Sequence, residues 1–187
     1  EARDLLRRDG AFRLMEGTVD VDLLIRLDNW LLAKADVLPQ FTVRKPRRRA
    51  HALLLPWDGP RPGDVGLAVA QFLRGLAGVF APGAGLVELA AFVVRHGAEA
   101  QELHADRTEP GFVSCQLSLH DGAPDATTGQ LALWPGTAED SRALLARWLE
   151  AEGQLEGPRA ARPPLRRGAG VCYDGRLWCC RVQIAGM

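Results

Sequence analysis

Two segments in the second half of the chain alternate between apolar and polar residues. The first segment is Phe112–Leu119 and the second is Gly129–Trp134. One face of the first segment carries Val113, Cys115, Leu117 and Leu119, and the other carries Ser114, Gln116 and Ser118. Alternation with a period of two residues predicts half-buried strands, the kind that antiparallel sheets use. A further apolar segment, Val171–Trp178, predicts a last strand.

The first half of the chain has helical periodicity instead. Apolar residues recur every three or four positions within Val19–Leu38, and Asp20 and Asp22 lie where the positive end of a helix dipole would be. The triplet Pro62-Gly63-Asp64 offers an N-cap for a second helix that would run through Val65–Phe80. The sequence therefore predicts two helices before the strands begin.

The remaining segments complete an α+β pattern. His51–Trp57 is a short apolar piece, and Leu86–Val94 is short enough to be a strand that is buried on both faces. Thr137 begins a helical stripe that includes Trp148, and Gly153–Gly168 has the composition of a loop. We expect one domain over residues 1–187, with a mainly helical lead-in over residues 1–85 and a strand-rich core over residues 86–187.

Composition excludes several classes of partner. With 187 residues, 47% of them hydrophobic, the chain can bury one sizeable core. Its formal net charge of +0 argues against nucleic acid as a binding partner. The basic run Arg44–Arg49 has no interleaved aromatic residues, so we interpret it as a solvated loop, with an anionic ligand as the alternative. No apolar stretch approaches the ~18 residues of a membrane span, so we expect no membrane partner.

The cysteines favour a reducing compartment. Four cysteines are too few for a disulfide scaffold in a chain of this length, and Cys179 and Cys180 are adjacent, where a bridge would be strained. We therefore expect free thiols and a cytoplasmic protein.

The segment Gln101–Asp106 contains the residues most suited to chemistry. If its backbone is extended, the spacing of two places His104 and Asp106 on one side, where both could bind one metal. Imidazole and carboxylate suit Fe(II) or Mn(II). A His-x-Asp pair is also common on protein surfaces, so a polar surface pair is the alternative.

Four stretches around this pair resemble one protein family. They are His96–Asp106, Gln116–Asp121, Thr128–Thr137 and Gly168–Trp178, and they lie within Leu86–Cys180, about half of the chain. Their order and spacing are similar to the phytanoyl-CoA dioxygenase-like family, whose pattern includes Gln-x-x-His-x-Asp and Gly-x-Leu-x-x-x-Pro-Gly-Thr. The resemblance implies a double-stranded β-helix, or jelly roll, that follows the helices.

The resemblance also implies an activity. Family members are Fe(II)/2-oxoglutarate-dependent oxygenases, so it implies iron as cofactor, 2-oxoglutarate as co-substrate and the hydroxylation of a small organic substrate. His104 and Asp106 match the first two metal ligands of the family, and Cys179 stands where the family has its distal His. The metal ligands implied for this chain are therefore His104, Asp106 and Cys179.

The sequence departs from the family pattern after Trp178. Cys179 replaces the distal His, and Ala138 replaces the His after Pro-Gly-Thr. Arg181 is the one Arg downstream of Cys179, and it is too close to Cys179 to serve as the family's 2-oxoglutarate partner. These departures predict a jelly roll that lacks its last strand or strands, and little turnover of 2-oxoglutarate. Divergence or a lost C-terminal segment would explain them. The alternative function is a catalytically inactive jelly-roll binding or scaffold protein with a degenerate metal site.

Other candidate sites have less support. Cys172, Cys179 and Cys180 lack the Cys-x2-Cys spacing of a structural zinc site. His51, His96 and His120 have no partners at ligand spacing, so we expect them at the surface or in loops. The tryptophans are expected in the core, with Trp134 a candidate for the pocket mouth.

Overall fold

Three helices and eight strands occur in the part of the chain that the computed structural model describes, which is residues 2–14, 16–34, 50–54, 61–80, 82–94, 101, 103–121, 131–134 and 166–181. The helices are α1 (Ala2–Asp9), α2 (Val21–Lys34) and α3 (Asp64–Gly75). The strands are β1 (Ala11–Leu14), β2 (Ala50–Leu54), β3 (Ala90–Val94), β4 (His104–Ala105), β5 (Val113–Leu117), β6 (Leu131–Trp134), β7 (Gly170–Asp174) and β8 (Trp178–Arg181).

The strands form three antiparallel sheets. The first has the order β1-β7-β5 and is called the β7 sheet here, and the second has the order β4-β8-β6 and is called the β8 sheet. The third pairs β2 with β3. The prediction of an α+β chain with antiparallel strands is therefore confirmed, although β1 is a strand that the sequence did not predict.

The β7 and β8 sheets face each other. Side chains from both sheets meet in one buried cluster: Leu131, Leu133, Val171, Tyr173, Leu177 and Cys179. The opposite face of the β7 sheet carries Phe12, Leu14 and Cys172. These side chains pack against Leu5 and Leu6 of α1, against Phe72 of α3, and against Leu76 and Val79, which follow α3. The β7 sheet is thus a middle layer between helices and the β8 sheet.

A turn at Gly175 passes the chain from one sheet to the other. The single predicted strand Val171–Trp178 is wrong, because β7 ends at Asp174 and β8 begins at Trp178. The Asp174 carboxylate accepts bonds from the Arg176 backbone N (2.9 Å) and from Arg176 Nε (3.0 Å). The backbone of Gly175 donates to Phe112 O (2.9 Å) and accepts from Arg107 N (2.8 Å). This bonding fixes the turn against the segment between β4 and β5.

Helix α2 begins at Val21 rather than at the predicted Val19, and it buries one face. Asp20 Oδ1 accepts a bond from Leu23 N (2.8 Å), which caps the first turn. The buried side chains of α2 are Leu23, Leu24, Leu27 and Leu31, and the first three pack against Val65 and Ala68 of α3. The residues of α2 that the structure describes end at Lys34, and positions 35–38 of the predicted helix lie outside them.

Helix α3 differs from the prediction at its C-terminal end. Its capping residue is Gly63, within the predicted triplet, and Asp64 forms an ion pair with Arg26 of α2 at 3.1 Å. The helix ends at Gly75 rather than Phe80, because Leu76, Ala77 and Val79 bond to backbone oxygens three residues earlier. A side chain at position 75 would collide with Thr18.

Strand β3 is shorter and more exposed than predicted. It covers Ala90–Val94 and pairs, among the described strands, with β2 alone. Leu86 and Val87 precede the strand and are exposed, and Phe92 within it is 50% exposed. The prediction of a strand buried on both faces is wrong, because the side chain of Phe92 remains half exposed.

Several predicted features lie outside the described residues. They are the basic run 44–49, the helix after Thr137 and most of the loop 153–168. Within the described residues, no helix combines the length and apolar character needed to cross a membrane.

The packing of α2 predicts a contrast between two leucines. Leu24 is fully buried and Leu32, on the same helix, is 54% exposed. Leu24→Ala should lower the free energy of unfolding by about 2–5 kcal/mol, which is roughly 4–20 °C in Tm for a domain of this size. Leu32→Ala should change Tm by no more than a degree or two, roughly the effect of a neutral surface substitution. Thermal unfolding followed by circular dichroism measures both, and equal losses would contradict the core described here.

Candidate metal centre

The β4–β8 pairing brings the three predicted ligand residues together. His104 lies directly opposite Cys179 in the register, and Asp106 follows immediately after β4. His104 Nε2 is 3.5 Å from Asp106 Oδ1. Cys179 Sγ is 3.8 Å from His104 Nε2 and 3.6 Å from Asp106 Oδ1. The expected geometry, with His104 and Asp106 on one side of an extended segment and their ligating atoms close together, is confirmed.

Sheet position gives the three side chains different surroundings. Cys179 lies on the central strand of the β8 sheet, between His104 and Leu133, and is 2% exposed. The side chains of His104 and Asp106 are 41% and 32% exposed. The group is therefore closed on the Cys179 side and open to solvent on the other.

The donor atoms converge on one point rather than forming a relay. A Cys–His–Asp proton relay needs the thiol and the carboxylate on different nitrogens of the imidazole. Here the same atom, His104 Nε2, is near both Cys179 Sγ and Asp106 Oδ1. This arrangement is typical of side chains that share one bound ion.

The two oxygens of Asp106 have separate partners. Oδ1 faces His104 and Cys179, whereas Oδ2 accepts bonds from Tyr173 Oη (2.7 Å) and Ser114 Oγ (2.9 Å). Burial raises the pKa of Asp106, but the hydrogen bonds from His104, Tyr173 and Ser114 outweigh it and lower the pKa to about 2. The carboxylate is therefore ionised at neutral pH.

Burial keeps the neighbouring acidic groups protonated. It raises the pKa of the Cys179 thiol; the hydrogen bond to His104 opposes this shift and the Asp106 charge adds to it. Burial and the charge of Asp106 also raise the pKa of the Tyr173 hydroxyl well above its ordinary value. The site thus combines one carboxylate with a thiol and a phenol that hold their protons.

The donor set fits a transition metal. Ligand atoms about 2.0–2.3 Å from one ion, with bonds about 90–110° apart, lie roughly 2.8–3.8 Å from each other. The three measured separations of 3.5, 3.6 and 3.8 Å are close to that range. All candidate ligand atoms lie within 4.8 Å of one another. Imidazole, carboxylate and thiol suit Fe(II), Co(II) or Zn(II) rather than Mg or Ca.

Sequence reasoning missed three polar residues beside the site. Ser114 and Tyr173 contact Asp106 directly, and Gln116 Nε2 donates to Tyr173 Oη at 3.0 Å. The alternation in Phe112–Leu119 had placed Ser114 and Gln116 on one polar face. That signal identified the face, and the register of β5 with β7 shows what the face contacts.

The other sequence candidates lie elsewhere. Cys172 is opposite Cys115 on the helix-covered face of the β7 sheet, away from Cys179, and the three described cysteine side chains are free thiols. His120 is an exposed residue 3.1 Å from Asp28, as expected for a surface histidine. Trp178 is buried and lies opposite Trp134 of β6. The side chains of His51, His96 and Cys180 lie outside the described residues.

Comparison with known proteins reveals similarity of fold. No protein-family model matches the sequence, and no curated protein matches it. HygX from Streptomyces hygroscopicus, solved with nickel and 2-oxoglutarate bound, superposes with a TM-score of 0.72 at 12% identity over 99% of this chain and 81% of that one. The prolyl hydroxylase of Trichoplax adhaerens, in complex with a hypoxia inducible factor peptide fragment, gives 0.67 at 10% identity over 97% and 81%. A Pseudomonas putida prolyl-4-hydroxylase gives 0.64 at 16% identity over 97% and 89%.

These similarities define a class of fold. Each comparison covers nearly the whole of this chain and more than three quarters of the other. The chain therefore shares the fold of these solved hydroxylases and of HygX.

The hydrogen bonds to Asp106 predict that the stability of the folded protein falls at acid pH. Because the folded-state pKa of Asp106 is about 2, below its ordinary 3.8, its contribution to stability is present above pH ~4 and is lost as the pH falls towards 2. The wild type should therefore lose up to about 1–2 kcal/mol relative to Asp106→Asn over that interval, a range that allows for the part-exposure of the side chain.

Urea unfolding at pH 7, 5, 4 and 3, with a chelator present throughout, measures this difference. Asp106→Asn should be less stable than the wild type at pH 7, and the gap should narrow at pH 3. Parallel curves for the two proteins would show that the carboxylate gains no stability from its partners.

Proposed function

We propose that this protein is an Fe(II)/2-oxoglutarate-dependent oxygenase, built on a jelly roll, that hydroxylates a small organic substrate. The observation that carries the proposal is the convergence of His104 Nε2, Asp106 Oδ1 and Cys179 Sγ at one partly open point between two antiparallel sheets. When three protein ligands lie on one side of a metal ion, the coordination positions on its other side are free for a co-substrate and oxygen.

The fold comparisons support the proposal. HygX carries nickel and 2-oxoglutarate in its structure, and two further matches are prolyl hydroxylases. The facing β7 and β8 sheets are consistent with a jelly roll, in which two antiparallel sheets pack face to face. The resemblance in sequence and the fold similarity are separate observations, and both favour the same class of enzyme.

The chain's own residues would each have a distinct role. Asp106 would supply the negative charge, and His104 would supply a nitrogen donor. Cys179 supplies its sulfur after losing the proton that burial favours. Bound iron would supply the oxidising chemistry with 2-oxoglutarate and oxygen, and the partial exposure of His104 and Asp106 leaves a path for both.

The thiol at the third position favours a second candidate function. Cys179 is buried and protonated, and sulfur is a softer donor than imidazole, so it shifts metal preference and the redox behaviour of iron. A site of this kind could bind a metal without turning over 2-oxoglutarate. The alternative is therefore a catalytically inactive jelly-roll binding or scaffold protein.

Succinate release distinguishes the two functions. Purified protein is incubated in air with Fe(II) and 2-oxoglutarate, and succinate is measured against a His104→Ala control. An oxygenase should release succinate above that control. Release equal to the control would leave the inactive alternative.

Replacing the thiol by imidazole should strengthen the site. A metal that binds only the folded state raises stability by RT ln(1 + [L]/Kd), about 2.7 kcal/mol at a hundredfold excess over Kd. The buried thiol must lose its proton before it can bind a metal, whereas a neutral imidazole at position 179 need not. The Tm shift on adding Co(II) should therefore be larger in Cys179→His than in the wild type.

A double variant provides the control for this prediction. The gain should disappear in Cys179→His combined with Asp106→Ala, because both groups must contact one ion. An unchanged Co(II) shift in folded Cys179→His would show that position 179 does not contribute a ligand.

A further inference from the structure

The Asp106 carboxylate is held by residues from two different sheets. Its Oδ1 atom lies near His104 and Cys179 of the β8 sheet, and its Oδ2 atom is bonded to Ser114 and Tyr173 of the β7 sheet. Ser114 and Tyr173 are direct neighbours across the β5–β7 register. A carboxylate held by one oxygen in this way has little freedom to rotate.

The hydrogen-bond donors can be assigned from their chemistry. An ionised carboxylate has no proton to give, so both hydroxyl groups donate to Oδ2. The one proton of Tyr173 is then committed to Asp106, at 2.7 Å, and its oxygen can accept from Gln116 Nε2 at 3.0 Å. The chain of bonds therefore runs in a single direction, from Gln116 to Tyr173 to Asp106.

Tyr173 is well placed to act as a fixed support. Its side chain is 1% exposed and packs among Val171, Leu177 and Cys179 in the cluster between the sheets. Its hydroxyl group donates one hydrogen bond and accepts another, so the buried ring has one preferred position. Ser114, on the neighbouring strand, fixes the same oxygen from a second direction.

We infer that Tyr173, Ser114 and Gln116 are positioning residues that restrict Asp106 to one metal-ligating oxygen, Oδ1. Without them the carboxylate could rotate and offer both oxygens to one ion, which would occupy a position that a bidentate 2-oxo acid needs. This inference rests on the metal site of the proposed function and adds the residues that set its geometry.

Metal affinity and ligand geometry test the inference without turnover. Co(II) alone is the probe, its Kd is obtained by titration, and its visible absorption reports the number and arrangement of ligands. Tyr173→Phe and Ser114→Ala should each weaken Co(II) binding by about 10-fold to 100-fold, the usual effect of removing a partner of a metal ligand. Both should also alter the Co(II) spectrum, which a loss of stability alone would not do.

Two matched serine variants serve as controls. Ser118→Ala removes a hydroxyl from the same alternating segment, where Ser118 Oγ donates to His120 O at 2.8 Å and not to Asp106. It should leave the Co(II) Kd and spectrum unchanged. Ser114→Thr keeps the hydroxyl and should restore the wild-type spectrum. If Tyr173→Phe fails to fold, the half-buried position 114 carries the test alone.

The outcomes separate this inference from the proposed function. If the wild type binds no Co(II), or His104→Ala binds it equally well, the metal site and the inference both fail. If binding depends on His104 but folded Ser114→Ala and Tyr173→Phe keep the wild-type Kd and spectrum, the metal site stands and the inference alone is overturned.

Discussion

The turn at Gly175 is the constraint on which the site depends. Asp174 bonds to the backbone and the side chain of Arg176, and the backbone of Gly175 bonds to both Phe112 and Arg107. These bonds set where β8 starts, and therefore which residue of β8 lies opposite His104. A shift of one residue in this register would turn the Cys179 side chain to the other face of the sheet, away from His104. The convergence of the three candidate ligand atoms is thus a consequence of one tightly bonded turn.

Part of the site could be predicted from the sequence because it depends on local spacing. Two residues separated by one in an extended segment share a face, so the proximity of His104 and Asp106 followed from the pattern alone. Cys179 required a family resemblance, since no local rule relates it to a residue 75 positions away. The break between β7 and β8 was missed although Asp174-Gly175 is a turn signal, because apolar residues continue on both sides of it.

The role of the positioning residues could not be predicted from the sequence alone. Alternation placed Ser114 and Gln116 on a common face of β5, and a polar face on a strand ordinarily faces water. In this fold that face is turned towards Tyr173 and Asp106, between two sheets. Which face is interior depends on how sheets stack, and stacking is set by contacts between distant residues. The end of α3 was misplaced because apolar residues continue at helical spacing past Gly75, whereas the backbone there bonds to oxygens three residues earlier.

Strand β7 links the stability of the core to the geometry of the site. Cys172 and Tyr173 are adjacent, both almost fully buried, and point to opposite faces of the same sheet. Cys172 packs with Leu76 and Val79 on the helix side, whereas Tyr173 bonds to Asp106 on the other. A substitution that shifts the helix layer would therefore move β7 and change the position of the Tyr173 hydroxyl, because interiors packed at this density transmit small displacements. The donor that holds Asp106 is positioned by the same packing that stabilises the fold.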